Sequence, residues 1–185
     1  MRSILFVLLF LPVASLAEPV AYTLDRDRSL VGFSVDLGGA PLKGNMDVAT
    51  ADISLDLSDL SQSSARVTLD TRSAITEVGF ATEAMLGAQV LDADRFPTIR
   101  FEATRITGTL SGGSVEGLVT IRDVTRPVTF SAQVFRQRGQ AAGDTSRLSV
   151  LLTGTIDRRD FGADGFPQFV GPEIVLEVLT RLDKS

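Results

Sequence analysis

The chain has 185 residues, a net charge of −5, and neither histidine nor cysteine. That composition excludes disulfides, zinc and haem sites built on His or Cys, and Ser-His-Asp or Cys-His nucleophiles. The basic residues form no stripe, so a nucleic-acid surface, which must neutralise phosphates, is excluded, and an anionic membrane surface is disfavoured.

The first seventeen residues read as a signal peptide. Arg2 gives a positive start, Ile4 to Leu11 form an apolar run, and Ser15-Leu16-Ala17 places small residues before a cleavage point. The run is too short for a transmembrane anchor, which needs about 20 apolar residues. The expectation is export, cleavage after Ala17, and a single domain over residues 18–185 without a permanent membrane anchor. Loss of Arg2 takes the net charge from −5 to −6.

The rest of the chain alternates with period two, the mark of half-buried antiparallel strands. Val31, Phe33 and Val35 share one parity, as do Ile53, Leu55 and Leu57, then Val67 and Leu69, then Ile99 and Phe101. Val115, Val119 and Ile121 follow, then Val128, Phe130, Ala132 and Val134, then Leu148, Val150 and Leu152, and last Ile174, Leu176 and Val178. Turn signals at Gly38-Gly39, Ser111-Gly112-Gly113, Gly139 and Gly143-Asp144 separate the runs. Many short strands at this spacing predict a sandwich or barrel. The exception is the segment Glu77 to Val90, rich in helix formers but weakened by Gly79 and Gly87, which predicts one or two short helices.

Three stretches stand out from ordinary strand sequence. Leu91 to Phe101 contains Phe96-Pro97, with proline at a strand start. Gly117 to Val128 reads as two strands joined by a tight turn and ends in Thr125-Arg126-Pro127-Val128. Asp157-Arg158-Arg159-Asp160-Phe161-Gly162 is followed by Val170-Gly171-Pro172-Glu173-Ile174. The four charges from Asp157 to Asp160 are expected to form a surface or barrel-rim salt-bridge network around a turn, of little energetic weight if exposed.

With the opening Tyr22-Thr23-Leu24-Asp25, these motifs in this order resemble the YceI-like polyisoprenoid-binding family, over about Tyr22 to Leu179. The resemblance implies an all-β fold, an extended lipocalin-like barrel of eight antiparallel strands. It also implies a periplasmic protein holding an isoprenoid chain or isoprenoid quinone inside. Two positions depart from the pattern: Met85 stands where many members carry His, and Asp123 where many carry Gly. Met85 points to a more apolar pocket edge.

An eight-stranded barrel is of the size at which side chains either fill the interior or leave room for one ligand. The resemblance favours a cavity, lined by Val31, Phe33, Val35, Phe101, Val119, Phe130 and Leu152, with Met85 and Leu86 on a helical flap at the mouth. No metal and no cofactor is expected beyond the lipid or quinone ligand. Two other classes stay open. One is a filled barrel acting as an envelope interaction module, with a membrane cytochrome or a second copy in a homodimer as partner. The other is a hydrolase or isomerase using Asp157, Asp160 and Glu173, which would need two carboxyls facing one cleft.

Overall fold

The structure, a computed structural model, describes residues 18–109, 111–135, 139–141 and 143–185. The signal peptide expected over residues 1–17 lies outside the described residues.

The strands are β1 (Val20–Leu24), β2 (Leu30–Leu37), β3 (Ala40–Met46), β4 (Val48–Leu55), β5 (Ser64–Asp70) and β6 (Ile75–Thr76). After helix α1 (Gly79–Leu86) come β7 (Thr98–Thr109), β8 (Gly112–Ile121), β9 (Val124–Phe135), β10 (Arg147–Asp157) and β11 (Val170–Lys184). Every pairing is antiparallel, and the sheet closes on itself where β1 meets β11. The result is a closed eight-stranded barrel with one short helix, because three of its staves are each broken in two. β1 and β2 both pair with β11, β3 and β4 pair with β2 and β1, and β6 and β5 pair with β3 and β4.

Aspartates start the short 3₁₀ turns that interrupt or link these staves. The carboxylates of Asp25, Asp59, Asp70 and Asp157 accept backbone N–H bonds from Arg28, Ser61, Arg72 and Arg159 at 2.9–3.2 Å. A short carboxylate satisfies the free donors of a turn and so stops the strand before it.

Alternation then decides which side chains face the lumen. Phe33 opposes Leu176, Phe101 opposes Val119, and Val115 opposes Phe130, all on the inner face. One end of the barrel is capped by residues 77–97, carrying α1, and by residues 158–169 between β10 and β11. Gly165 N–H donates to the Gln89 carbonyl at 3.0 Å and joins the two cap segments. Arg122 sits in the two-residue β8–β9 turn with φ +58°, a costly conformation for a residue other than glycine. Its guanidinium donates to the carbonyls of Gly162 and Val90 and stacks over Phe96 at 5.6 Å, so the strained residue ties both cap segments to the wall. At the other end Tyr22, Ile53, Leu148 and Leu182 pack together beside the β1–β11 seam, and the Tyr22 hydroxyl donates to the Thr145 carbonyl at 3.0 Å.

Candidate functional site

The barrel is hollow. A cavity of about 320 Å³ runs along its axis, from Leu60 and Thr109 at one end to Met85, Val90 and Phe161 beneath the cap. Its wall is made by the inward parity of the staves, and apolar side chains dominate it. The polar side chains among the described lining residues are Thr107, Thr109, Ser114, Thr180 and Arg158. A cavity of this size falls within the range of small-molecule sites, about 300–1,000 Å³. A hollow barrel favours the ligand-holding reading over the filled barrel of the interaction module.

Val31, Phe33, Met85, Phe101, Val119, Phe130 and Leu152 are all brought to this one cavity. Val35 and Leu86 are not among the residues lining it. Val35 shares the inward parity of Phe33 but lies nearer the capped end, buried at 9% exposure beside its cross-strand partners Leu42 and Ile174. Leu86 packs against the core beneath the cap rather than on the cavity wall. For Val35, strand parity fixes the face but not the place along the barrel; Leu86 lies on helix α1, where strand parity gives no guide. The part of the wall from β3 to β5, including Met46, Val48, Ile53, Val67 and Leu69, was not assigned to the site from sequence, nor were Ile106, Val115 and Leu176. The shared parity of Ile53 with Leu55 and of Val67 with Leu69 carried that signal for β4 and β5.

The aromatic part of the wall is ordered. Phe101 and Phe130 meet edge to face, with ring centroids 5.6 Å apart and planes at 85°. That arrangement suits the quadrupoles of the rings.

Arg158 is the ionisable side chain among the lining residues, and it is 5% exposed. Of the four charges expected in one surface or barrel-rim network, Arg158 is instead buried, while Arg159 pairs with Asp157 outside. The Arg158 Nε donates to the Gly171 carbonyl at 2.8 Å. Nη1 donates to Ala163 and Gly165 at 2.5 and 2.8 Å, and Nη2 to Val170 at 2.8 Å. No carboxylate forms an ion pair with it among the described residues; the carbonyl dipoles, with the more distant charges of Asp164 and Asp157, compensate its charge. Burial lowers its pKa from the ordinary arginine value. The four bonds fix the return of the chain from the cap into β11. Parity held the clue, since Arg158 continues the inward series of Leu152 and Ile156.

Asp157 and Glu173 face each other across β10 and β11 on the outer surface, and neither they nor Asp160 line the cavity. Asp157 instead grips Arg159, whose Nη2 donates to Oδ2 at 2.5 Å. This bond, with the Arg159 backbone N–H, holds the carboxyl down from 3.8 to about 2. A depressed carboxyl contributes stability that is present above its unfolded value and lost as pH falls through its folded one. Acidification from pH 5 to 2 should therefore loosen the 158–162 turn. The Arg159 amide chemical shift should titrate with a midpoint near 2, and a midpoint at 3.8 or above would refute the clamp.

Comparison with known proteins fits this architecture. A UPF0312 protein of Vibrio vulnificus (strain YJ016) is 26% identical over 179 residues, covering 94% of this chain and 94% of that protein. A UPF0312 protein of Serratia proteamaculans is 26% identical over 162 residues, covering 85% of this chain and 84% of its own. The crystal structure of Burkholderia cenocepacia BcnA superposes with a TM-score of 0.75 at 19% identity, covering 86% of this chain and 99% of that one. A polyisoprenoid binding domain from Saccharophagus degradans, implicated in plant cell wall breakdown, superposes with a TM-score of 0.66 at 12% identity, covering 90% of this chain and 99% of that one. At such identities the structural likeness speaks for the fold. The model of the YceI-like domain matches residues 22–182, from the first strand to the last, and the chain belongs to the YceI-like domain family.

Proposed function

We propose that this protein is an exported, non-catalytic carrier that holds a long apolar isoprenoid lipid or isoprenoid quinone inside its barrel, in the periplasm. The observation that carries the reading is the cavity itself: long, central, and walled almost wholly by apolar side chains. Protein interiors pack as densely as organic crystals. A void of about 320 Å³ left unfilled would cost about 8 kcal/mol at the rate found for engineered cavities. That equals much of the stability of a typical domain, about 5–15 kcal/mol. An apolar occupant offsets the cost, gaining about 0.8 kcal/mol per buried CH₂ before the cost of ordering the chain.

The shape also argues for a chain rather than a compact head. A tube without a concentrated polar constellation suits a ligand recognised by length and width. The solved polyisoprenoid binding domain with the same fold supports the class of ligand. The signal-like sequence at residues 1–17 supports export.

The test is mass spectrometry on protein purified from its native envelope. The intact mass should begin at Glu18, and the organic extract should contain an isoprenoid chain near one mole per mole of protein. A mass that retains Met1 overturns export, and an extract with no apolar chain overturns the carrier.

A further inference from the structure

Among the glycines at inward positions inside strands, where an apolar side chain is the rule, three stand out: Gly44 on β3, Gly117 on β8 and Gly154 on β10. Glycine in a strand interior weakens the strand, so its presence marks a close approach. Each of the three is covered by a phenylalanine ring from the preceding stave. A Cβ on Gly44 would meet Cζ of Phe33 at 2.3 Å, and one on Gly117 would meet Cε2 of Phe101 at 2.4 Å. A Cβ on Gly154 would meet Cδ1 of Phe130 at 2.9 Å. All three rings belong to the cavity wall, and all three lean sideways in the same sense, from one stave onto the next. A ring that lies over a glycine leaves the lumen free, while a ring that cannot lie down must stand into it.

We infer that the pairs Phe33–Gly44, Phe101–Gly117 and Phe130–Gly154 set the bore of the tunnel and so select a single slender chain over a broad fused-ring lipid. The inference rests on the carrier reading and adds what decides ligand width. It assigns a selective role to glycines, residues that touch a ligand through no side chain of their own.

Gly154 gives the cleanest test. Beside Gly44 and Gly117 a backbone carbonyl stands 2.5 and 2.6 Å from the added Cβ, so alanine there strains the sheet as well. At Gly154 the nearest carbonyl is at 3.1 Å, and the Phe130 ring is the closer obstacle. The delipidated wild type, Gly154→Ala, Phe130→Leu and the double variant are titrated with cis-parinaric acid, a slender fluorescent polyene. Geranylgeraniol is the competitor, and a fluorescent sterol is a second probe.

Gly154→Ala should bind the polyene about tenfold more weakly, because overpacking the wall drives the ring inward. The double variant, with a smaller side chain over the new methyl, should recover to within about threefold of wild type. Phe130→Leu alone should gain sterol binding. Wild-type affinity in Gly154→Ala, or a double variant as weak or as unfolded as the single one, overturns the inference. If the wild type holds the polyene but geranylgeraniol fails to displace it, the isoprenoid reading falls while the bore is still read from the polyene. If the wild type takes up neither chain, both fall.

Discussion

Replacing Arg158 by methionine should lower the unfolding free energy by about 3–5 kcal/mol, at the upper end for a single substitution. Methionine approximates the length of the arginine stem but supplies none of the four donated bonds. The carbonyls of Ala163, Gly165, Val170 and Gly171 would lose a charged donor at a buried site, where water replaces it poorly. Lysine should recover only part of the loss, since one ammonium lacks the planar fork that reaches four oxygens at once. Urea unfolding reads the effect as a lower midpoint. Exchange of the amides from 163 to 171 should accelerate before global unfolding, because the lost bonds all end there. A loss below about 1 kcal/mol would show that the loop is held by something other than this guanidinium.

Phe101→Asp should abolish lipid retention, by at least about a hundredfold, while leaving the barrel folded. Phe101 lies on the cavity wall with its ring against Phe130. A carboxylate placed there is desolvated unless water follows it into the tube. A packed core would have no room for that water and would unfold instead. The measurement is paired: circular dichroism for the fold and extracted lipid per protein for occupancy. A folded variant without lipid agrees with the hollow carrier. An unfolded variant, beside a wild type that carries no lipid, would return the protein to the class of interaction modules.

The regular part of the barrel was legible in the sequence because one physical rule generates it. Val128, Phe130, Ala132 and Val134 alternate with polar residues since one face of their strand meets the lumen and the other meets water. Where the rule is interrupted, so is legibility. β3 carries Leu42 and Met46 inward, but Gly44 stands between them and hides the alternation. β6 is two residues long, below what any pattern reveals. The helix expected over 77–90 forms only from Gly79 to Leu86, and the Gly87 that ends it is one of the two glycines that weakened the reading.

The site was legible by class and less so by residue. Alternation gives the inward set, but neither the depth of Val35 nor the packing of Leu86 against the core follows from it. Asp157-Arg158-Arg159-Asp160 read as one salt-bridge network at the surface or the barrel rim. Only the three-dimensional course of residues 163–171 supplies the carbonyls that justify burying Arg158. The Phe-over-Gly pairs join residues of different strands, and a single strand read by itself contains half of each pair.

The seam between β1 and β11 bears on the order in which the molecule is made. Tyr22, Thr23 and Leu24 pair with Lys184, Asp183 and Leu182, and Ser185 N–H donates to the Ala21 carbonyl at 3.0 Å. Neighbours in space are thus drawn from opposite ends of the described chain. Closing so long a loop is entropically unfavourable and slows folding. β11 also pairs with β10 along its length and with β2. Until β11 meets β1 and β2, those edges are open and the apolar faces lie bare to solvent, the state in which β proteins associate wrongly. Lumen and closed wall therefore arise together, where β1 and β2 meet β11. An apolar chain present at that moment is enclosed as the wall completes, with no need to thread past the cap.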